Sequence, residues 1–159
     1  AVAAGAQAVV TSSSPDKLEH ARELGAAGGF NYRAPDWHSA IRDAFGPVAL
    51  VVDGSGGEAW NVLPDLLDFG GRIVNYGATA GMPPRIDLFK IFWKQLRILG
   101  STMGSPTDFA AMLGFVSRHQ LRPVIDCVMP LTEVNEALQR MEQSTHMGKI
   151  VLDPTDSVL

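Results

Sequence analysis

Cysteine is almost missing from this chain: Cys127 is the only one in 159 residues, so no internal disulfide can form. A lone thiol fits a reducing compartment, and a cytoplasmic protein is the expectation. Cationic excess is missing too. Thirteen Lys and Arg against seventeen Asp and Glu give a net charge of −4, which removes the electrostatic case for nucleic acid or an anionic membrane as partner. No apolar run approaches the roughly 20 residues that span a bilayer, and no basic-then-apolar leader marks secretion. His20, His38, His119 and His146 are scattered and offer no metal-ligand spacing, so they read as surface or structural side chains. Repeats, low-complexity segments and internal linkers are absent as well. What remains reads as one soluble domain, long enough for a full core.

What is present is organised around residues 49–79. Ala49-Leu50-Val51-Val52 is an apolar run ending in Asp53-Gly54-Ser55-Gly56-Gly57. Ala59, Leu63, Leu66 and Leu67 follow at helical spacing; then come Gly70-Gly71 and a second run, Arg72-Ile73-Val74-Asn75-Tyr76-Gly77-Ala78-Thr79. Two runs without alternation around a helix predict a βαβ unit in a parallel sheet buried on both faces. Glycines after each strand allow a tight turn at the carboxyl edge, where open α/β sheets bind ligands.

The rest of the chain repeats the alternation. A strand over Ala8–Ser12 precedes a helix with Ser14 as N-cap, Pro15 at its first position and Leu18, Ala21 and Leu24 as buried stripe. Gly25 stops it. Residues 29–32 read as a short strand and Trp37–Phe45 as a brief helix. Pro64 should kink or restart the central helix. A short helix turns Leu88, Ile91 and Phe92 inward, ahead of a strand over Ile98–Thr102. The helix over Thr107–His119 carries Phe109, Met112, Leu113 and Val116 on one side. A strand over Val124–Val128 follows. Thr132 caps a last helix that buries Val134, Ala137, Leu138 and Met141. Lys149–Leu152 is the final strand, before a polar tail.

The opening, Ala1-Val2-Ala3-Ala4-Gly5-Ala6, has no initiator Met and reads as the last turns of a helix stopped by Gly5. The expectation is a fragment of something longer.

An ordered set of motifs carries a resemblance. Gly5-Ala6, Thr11-Ser12-Ser13-Ser14-x-x-Lys17, Leu24-Gly25-Ala26, Asn31-Tyr32, Asp53-x-x-Gly56-Gly57, Gly70-Gly71-Arg72-Ile73-Val74, Gly77-Ala78-Thr79, Leu99-Gly100-Ser101 and Gly148-Lys149-Ile150-Val151-Leu152 together resemble the coenzyme-binding half of the medium-chain dehydrogenases/reductases. Zinc-type alcohol dehydrogenases and quinone reductases belong to that superfamily. The resemblance covers essentially the whole chain. It implies a Rossmann-type, doubly wound parallel α/β sheet that lacks its first strand and glycine-rich turn, with residues 1–159 as a partial dinucleotide-binding domain. The family's N-terminal catalytic GroES-like domain, which holds zinc where zinc is used, is expected to be absent from this chain. In the family's strand order the missing strand lies between the strands at Ala8–Ser12 and Ala49–Asp53, so those two should not pair directly.

The resemblance also assigns a cofactor and its residues. An NAD site places Asp or Glu after the first of these strands; here stand Ser12 and Ser13, with Lys17 behind them and Tyr32 fifteen positions further on. Similar NADP-dependent reductases pair such a Lys and Tyr around the 2′-phosphate, so NADP(H) is expected, with NAD as the alternative. The plainer reading makes the serines helix caps and Lys17 a solvated charge. Gly54 and Ser55, then Gly77, Ala78 and Thr79, then Ser101 and Thr102 would line the cleft; taken singly, each is ordinary turn chemistry. Asp53 reads as a buried acceptor for loop amides. Trp37, Trp60, Trp93, Phe92 and the methionines read as core or interface. No nucleophile–base pair can be argued, so no catalytic residue is assigned within the chain. The implied activity is hydride transfer between nicotinamide and a small carbonyl, alcohol or alkene in an intact parent, the chain alone being inactive. A homodimer through the edge strand Ile98–Thr102 is implied too.

Two other classes stay open. A methyltransferase-like Rossmann domain would share Leu67-x-x-Gly70-Gly71-Arg72-Ile73-Val74 but needs an antiparallel last hairpin and an acid after its second strand. A cofactor-binding module without catalysis is the other.

Overall fold

The computed structural model describes residues 1–155. The chain forms two compact units, Ala1–Gly104 and the segment from Ser105 onward. The end of the polar tail lies outside the described residues.

The first unit alternates strands and helices as its sequence pattern predicts. A 3-10 turn at Val2–Ala4 is closed by Gly5 in the left-handed region, φ +81°. β1 (Val9–Thr11), α1 (Pro15–Glu23), β2 (Gly28–Phe30) and α2 (Trp37–Phe45) follow. Ser14 caps α1: its side chain accepts from the Lys17 amide, and Pro15 occupies the first turn. β3 (Val48–Asp53), a 3-10 turn (Gly57–Asn61), α3 (Leu63–Leu66), β4 (Leu67–Asn75), α4 (Leu88–Trp93) and β5 (Arg97–Gly100) complete the unit.

Every strand pair is parallel. β1 pairs β2 with Thr11 opposite Phe30, and β3, β4 and β5 form a second sheet in that order. β1 and β3 are not hydrogen-bonded neighbours, as the inferred strand order requires. One core serves both sheets. Ile41, Trp60, Leu63, Leu66, Leu67, Ile73 and Leu96 are buried together, with Val9 and Phe30 from the first sheet packed against them. Each such side chain contributes about 1.5–3 kcal/mol on burial.

The central crossover departs from the expected amphipathic helix. It is a 3-10 turn followed by the single turn α3, and Pro64 stands in that turn's first positions. Pro64 therefore restarts the helix, since a first-turn residue needs no amide donor. Leu67 already belongs to β4. The register jumps there, Val48 facing Leu67 and Leu50 facing Arg72. Gly70 in this excursion has φ +72° and donates its N–H to the Lys94 carbonyl at 2.7 Å.

Three expected core positions are corrected. Leu24 is the C-cap of α1 and 59% exposed, because the chain turns away at Gly25. Leu88 and Phe92 on α4 are exposed, and only Ile91 of that helix packs on the core. A six-residue helix presents less than two turns, too few to aim a full stripe inward.

The second unit contains α5 (Pro106–Arg118), β6 (Ile125–Pro130), a 3-10 turn (Leu131–Glu133), α6 (Val134–Glu142) and β7 (Lys149–Asp153). Ser105 and Asp108 close a reciprocal capping box on α5. β6 and β7 pair in parallel, which removes the antiparallel hairpin that the methyltransferase-like alternative needs. The Asp126 carboxylate joins the unit's parts, accepting from the Met147 amide at 2.8 Å and from Arg140 at 2.6 Å. Within this unit the stripes are only partly used. Phe109, Met112 and Leu113 of α5 and Leu138 and Met141 of α6 are exposed, while Met129 and Ala137 are buried. Two strands make too small a sheet to cover two helical stripes. Thr132 lies inside the 3-10 turn; Glu133 holds the N-cap position of α6 without a side-chain cap bond.

Candidate functional site

Because each sheet is parallel, its strands present their carboxyl ends along one edge, and the carboxyl end of β3 is densely hydrogen-bonded. Asp53 closes that strand and is only 8% exposed. Its Oδ1 accepts from the Ser55 amide at 3.0 Å and the Ser55 hydroxyl at 2.7 Å. Its Oδ2 accepts from the Gly56 amide at 3.0 Å, the Trp60 indole at 2.9 Å and the Asn75 side-chain amide at 3.0 Å. A buried carboxylate needs such saturation. Burial alone raises the Asp53 carboxyl; the bonds from Ser55, Trp60 and Gly56 outweigh it and hold the group below the usual carboxylate range. Asp53 is the acceptor for loop amides that its position after the apolar run suggests.

Asn75 does the same work from β4. Its side-chain N–H groups reach the Asp53 carboxylate and, at 2.8 Å, the Gly77 carbonyl. Two backbone bonds tie the following loops, Gly57 N–H to the Gly81 carbonyl at 2.9 Å and Ala80 N–H to the Ser55 carbonyl at 2.8 Å. The meshing is close enough to demand glycine. A Cβ on Gly77 would stand 2.7 Å from the Gly54 carbonyl oxygen, and one on Gly56, where φ is +69°, 2.5 Å from the Gly81 carbonyl oxygen.

The structure therefore brings Gly54 and Ser55 together with Gly77, Ala78 and Thr79 at one edge. Ser101 joins them, its amide donating to the Asn75 carbonyl at 2.9 Å, and Thr102 follows it. Gly77 is half-buried, and Ala78, Thr79, Ser101 and Thr102 are exposed. At the first sheet, Thr11 faces Phe30 across the pair, so Ser12 and Ser13 lie just beyond the end of β1 and Tyr32 just beyond the end of β2, on the same edge. The Ser12 hydroxyl oxygen accepts the Ser14 amide at 3.2 Å. Lys17 is in the first turns of α1, two residues after Pro15.

Sequence reasoning missed three members. Trp60 reads as core and is core, yet its indole N–H is also a ligand of Asp53. Asn75 and Tyr76 pass as strand residues. An amide at a strand end, two residues before Gly77, was the available signal for Asn75. For Tyr76 there was only its place one residue before Gly77.

This edge suits a hydroxyl-bearing, flat or phosphorylated ligand: it offers small residues for close backbone approach and hydroxyls as donors. It does not suit a metal. Among the described residues no group of three or more His, Cys, Asp or Glu could hold one.

The sequence model of a family described as zinc-binding dehydrogenase matches residues 1–118. A zinc-type alcohol dehydrogenase-like protein of Leptosphaeria maculans is 33% identical over 96% of this chain and 45% of its own length. An alcohol dehydrogenase of Geobacillus stearothermophilus is 30% identical over 96% of this chain and 44% of its own. Among solved structures, an NAD-dependent alcohol dehydrogenase is 36% identical with a TM-score of 0.87, covering 94% of this chain and 44% of that one. The chain spans about half the length of the curated relatives it matches.

Proposed function

Since the chain belongs to the zinc-binding dehydrogenase family, we propose that it is the coenzyme-binding half of an NAD(P)H-dependent oxidoreductase acting on a small carbonyl, alcohol or alkene. The observation that carries this reading is the shared carboxyl edge, where glycine loops pinned by Asp53 and Asn75 stand beside Ser101 and Thr102. Bound there, a nicotinamide coenzyme supplies a hydride donor or acceptor. This chain's own residues bind and orient: Gly54, Ser55, Gly77, Ala78 and Thr79 admit the coenzyme backbone, and Ser101 and Thr102 offer hydroxyls to its polar groups. The groups that act on the substrate, zinc among them where the parent uses it, belong to the domain preceding this one in the family's order. Residues 1–159 are on this reading a partial Rossmann domain.

The finer assignment is NADP(H). Ser12 and Ser13 carry no charge to repel a 2′-phosphate, and Lys17 and Tyr32 supply an ammonium and a phenol near the ends of β1 and β2. NAD is the competitor: Asp16 sits in the first turn of α1, and a relative at 36% identity is NAD-dependent. Fluorescence titration with NADPH and NADH decides. Losing a charge-assisted bond in Lys17→Ala should weaken NADPH about tenfold and leave NADH unchanged. Equal losses for both, measured in the intact parent, would end the NADP assignment; no binding of either coenzyme to that parent would end the reading itself.

Among the described residues β5 is paired on one side only, and Ile98 and Leu99 are exposed. We propose a homodimer through that edge, in a cytoplasmic protein, and sedimentation at monomer mass would count against it.

A further inference from the structure

Two arginines stand side by side toward the amino end of the β3–β4–β5 sheet, away from the glycine edge. Arg72 of β4 is in register with Arg97, the first residue of β5. Partners in register on neighbouring strands point to one face, about 5 Å apart at the backbone. Both are exposed, and among the described residues neither guanidinium has a hydrogen bond or an ion pair. Like charges placed that way repel. The two side chains border one open cleft of about 340 Å³. The irregular start of β4 supplies another wall, with Asp68, Phe69, Gly70 and Gly71. Gly70, at φ +72°, turns the chain there, and its N–H is tied to the Lys94 carbonyl at 2.7 Å. Asp68 is turned to its own loop, its Oδ1 accepting from the Phe69 amide at 2.8 Å. It offsets one of the two charges, and the lining stays cationic. The Phe69 ring is 66% exposed beside them.

We propose that this cleft binds a phosphate monoester carried on a flat organic ring, with Arg72 and Arg97 on the phosphate and Phe69 against the ring. Arginine's planar fork matches phosphate oxygens two at a time. A dianion between the pair turns their mutual repulsion into a shared attraction. An exposed phenyl ring takes a planar group by offset stacking or edge to face. The proposal stands apart from the coenzyme reading, because the cleft lies toward the amino ends of strands whose carboxyl ends form the glycine edge.

The probes are phenyl phosphate and inorganic phosphate, titrated by calorimetry into the intact parent protein at constant ionic strength. Phenyl phosphate should bind roughly threefold to tenfold more tightly, the gain expected from one ring contact. Arg72→Gln and Arg97→Gln should each weaken both probes by about tenfold or more, as one charge-assisted bond is lost. Phe69→Ala should erase the difference between the probes and leave inorganic phosphate within about twofold, which also shows that the β4 turn is intact. Should Arg72→Gln fail to fold, Arg97→Gln carries the test, since it alters only the exposed first residue of an edge strand. Undiminished binding in Arg97→Gln, equal affinity for the two probes, or binding of neither overturns the proposal and leaves the coenzyme reading untouched.

Discussion

The Trp60 indole N–H reaches back seven residues to the Asp53 carboxylate at 2.9 Å, so a core side chain and a loop fastener are one group. Removing the carboxylate strands more than the indole: the amides of Ser55 and Gly56 and the side chain of Asn75 lose their acceptor too. A buried donor left unpaired costs about 1–3 kcal/mol. Asp53→Ala should therefore lose about 3 kcal/mol or more in urea unfolding, and Trp60→Phe about 1–2 kcal/mol. Equal losses would mean that the indole alone matters.

The same carboxyl sets an acid limit. Burial pushes it up, and hydrogen bonds from Ser55, Trp60 and Gly56 bring it below its ordinary value. A folded value below the unfolded one gives stability that is present above the unfolded value, about 3.9, and lost as pH falls through the folded one. Asp87, Asp108, Asp126 and Asp153 also lie low, so the measurement is a difference. Between about pH 4 and pH 2 the stability of Asp53→Asn should fall less steeply than that of the unmodified chain. Parallel curves would show that Asp53 titrates alike in both states.

Glycines with similar φ should differ in their tolerance of alanine. Gly56→Ala meets both a positive φ and the Gly81 carbonyl oxygen, whereas Gly70→Ala, at φ +72°, meets open space. The second should cost about 1–2 kcal/mol of backbone strain and the first visibly more. Thermal unfolding compares them. A matching pair would make backbone conformation the whole cost and the close approach irrelevant.

Lys94 is the cation that closes the short helix α3. Its Nζ donates to the Pro64 carbonyl at 3.0 Å and the Leu67 carbonyl at 2.8 Å. Desolvation first, and the Arg42 charge second, hold its pKa below the ordinary lysine value. In the alkaline window between those two values the unfolded chain binds more protons, so this lysine makes stability rise with pH. Lys94→Met should cost about 1–2 kcal/mol near neutrality and abolish that rise. A variant that keeps the rise would place its origin elsewhere.

Much of this was legible before any coordinates. Trp37–Phe45 is a helix with the expected ends, Ser14 caps α1, and the two runs of the central unit are parallel neighbours, because local propensity and burial agree at those places. The crossover was misread for a physical reason: Ala59, Leu63, Leu66 and Leu67 are spaced for a helix, but a 3-10 turn and a proline restart place such residues inside equally well. The stripes of α5 and α6 were legible as stripes, while what would cover them is a tertiary matter that periodicity does not contain. The motifs marked which loops form the edge. The fastening of those loops, by Asn75 from one strand and Trp60 from a turn, depends on contacts 22 and 7 residues from Asp53, which spacing alone does not reveal.

The interlocked loops after β3 and β4 have a thermodynamic consequence for any guest. Fixing one residue's backbone costs roughly 1–2 kcal/mol of entropy at 25 °C. Between Gly54 and Gly81, bonds such as those from Gly57 to Gly81 and from Ala80 to Ser55 are already made in the free chain. Much of the ordering at this edge is thus charged to folding and only a remainder to association, so a molecule settling there keeps more of its contact energy as affinity.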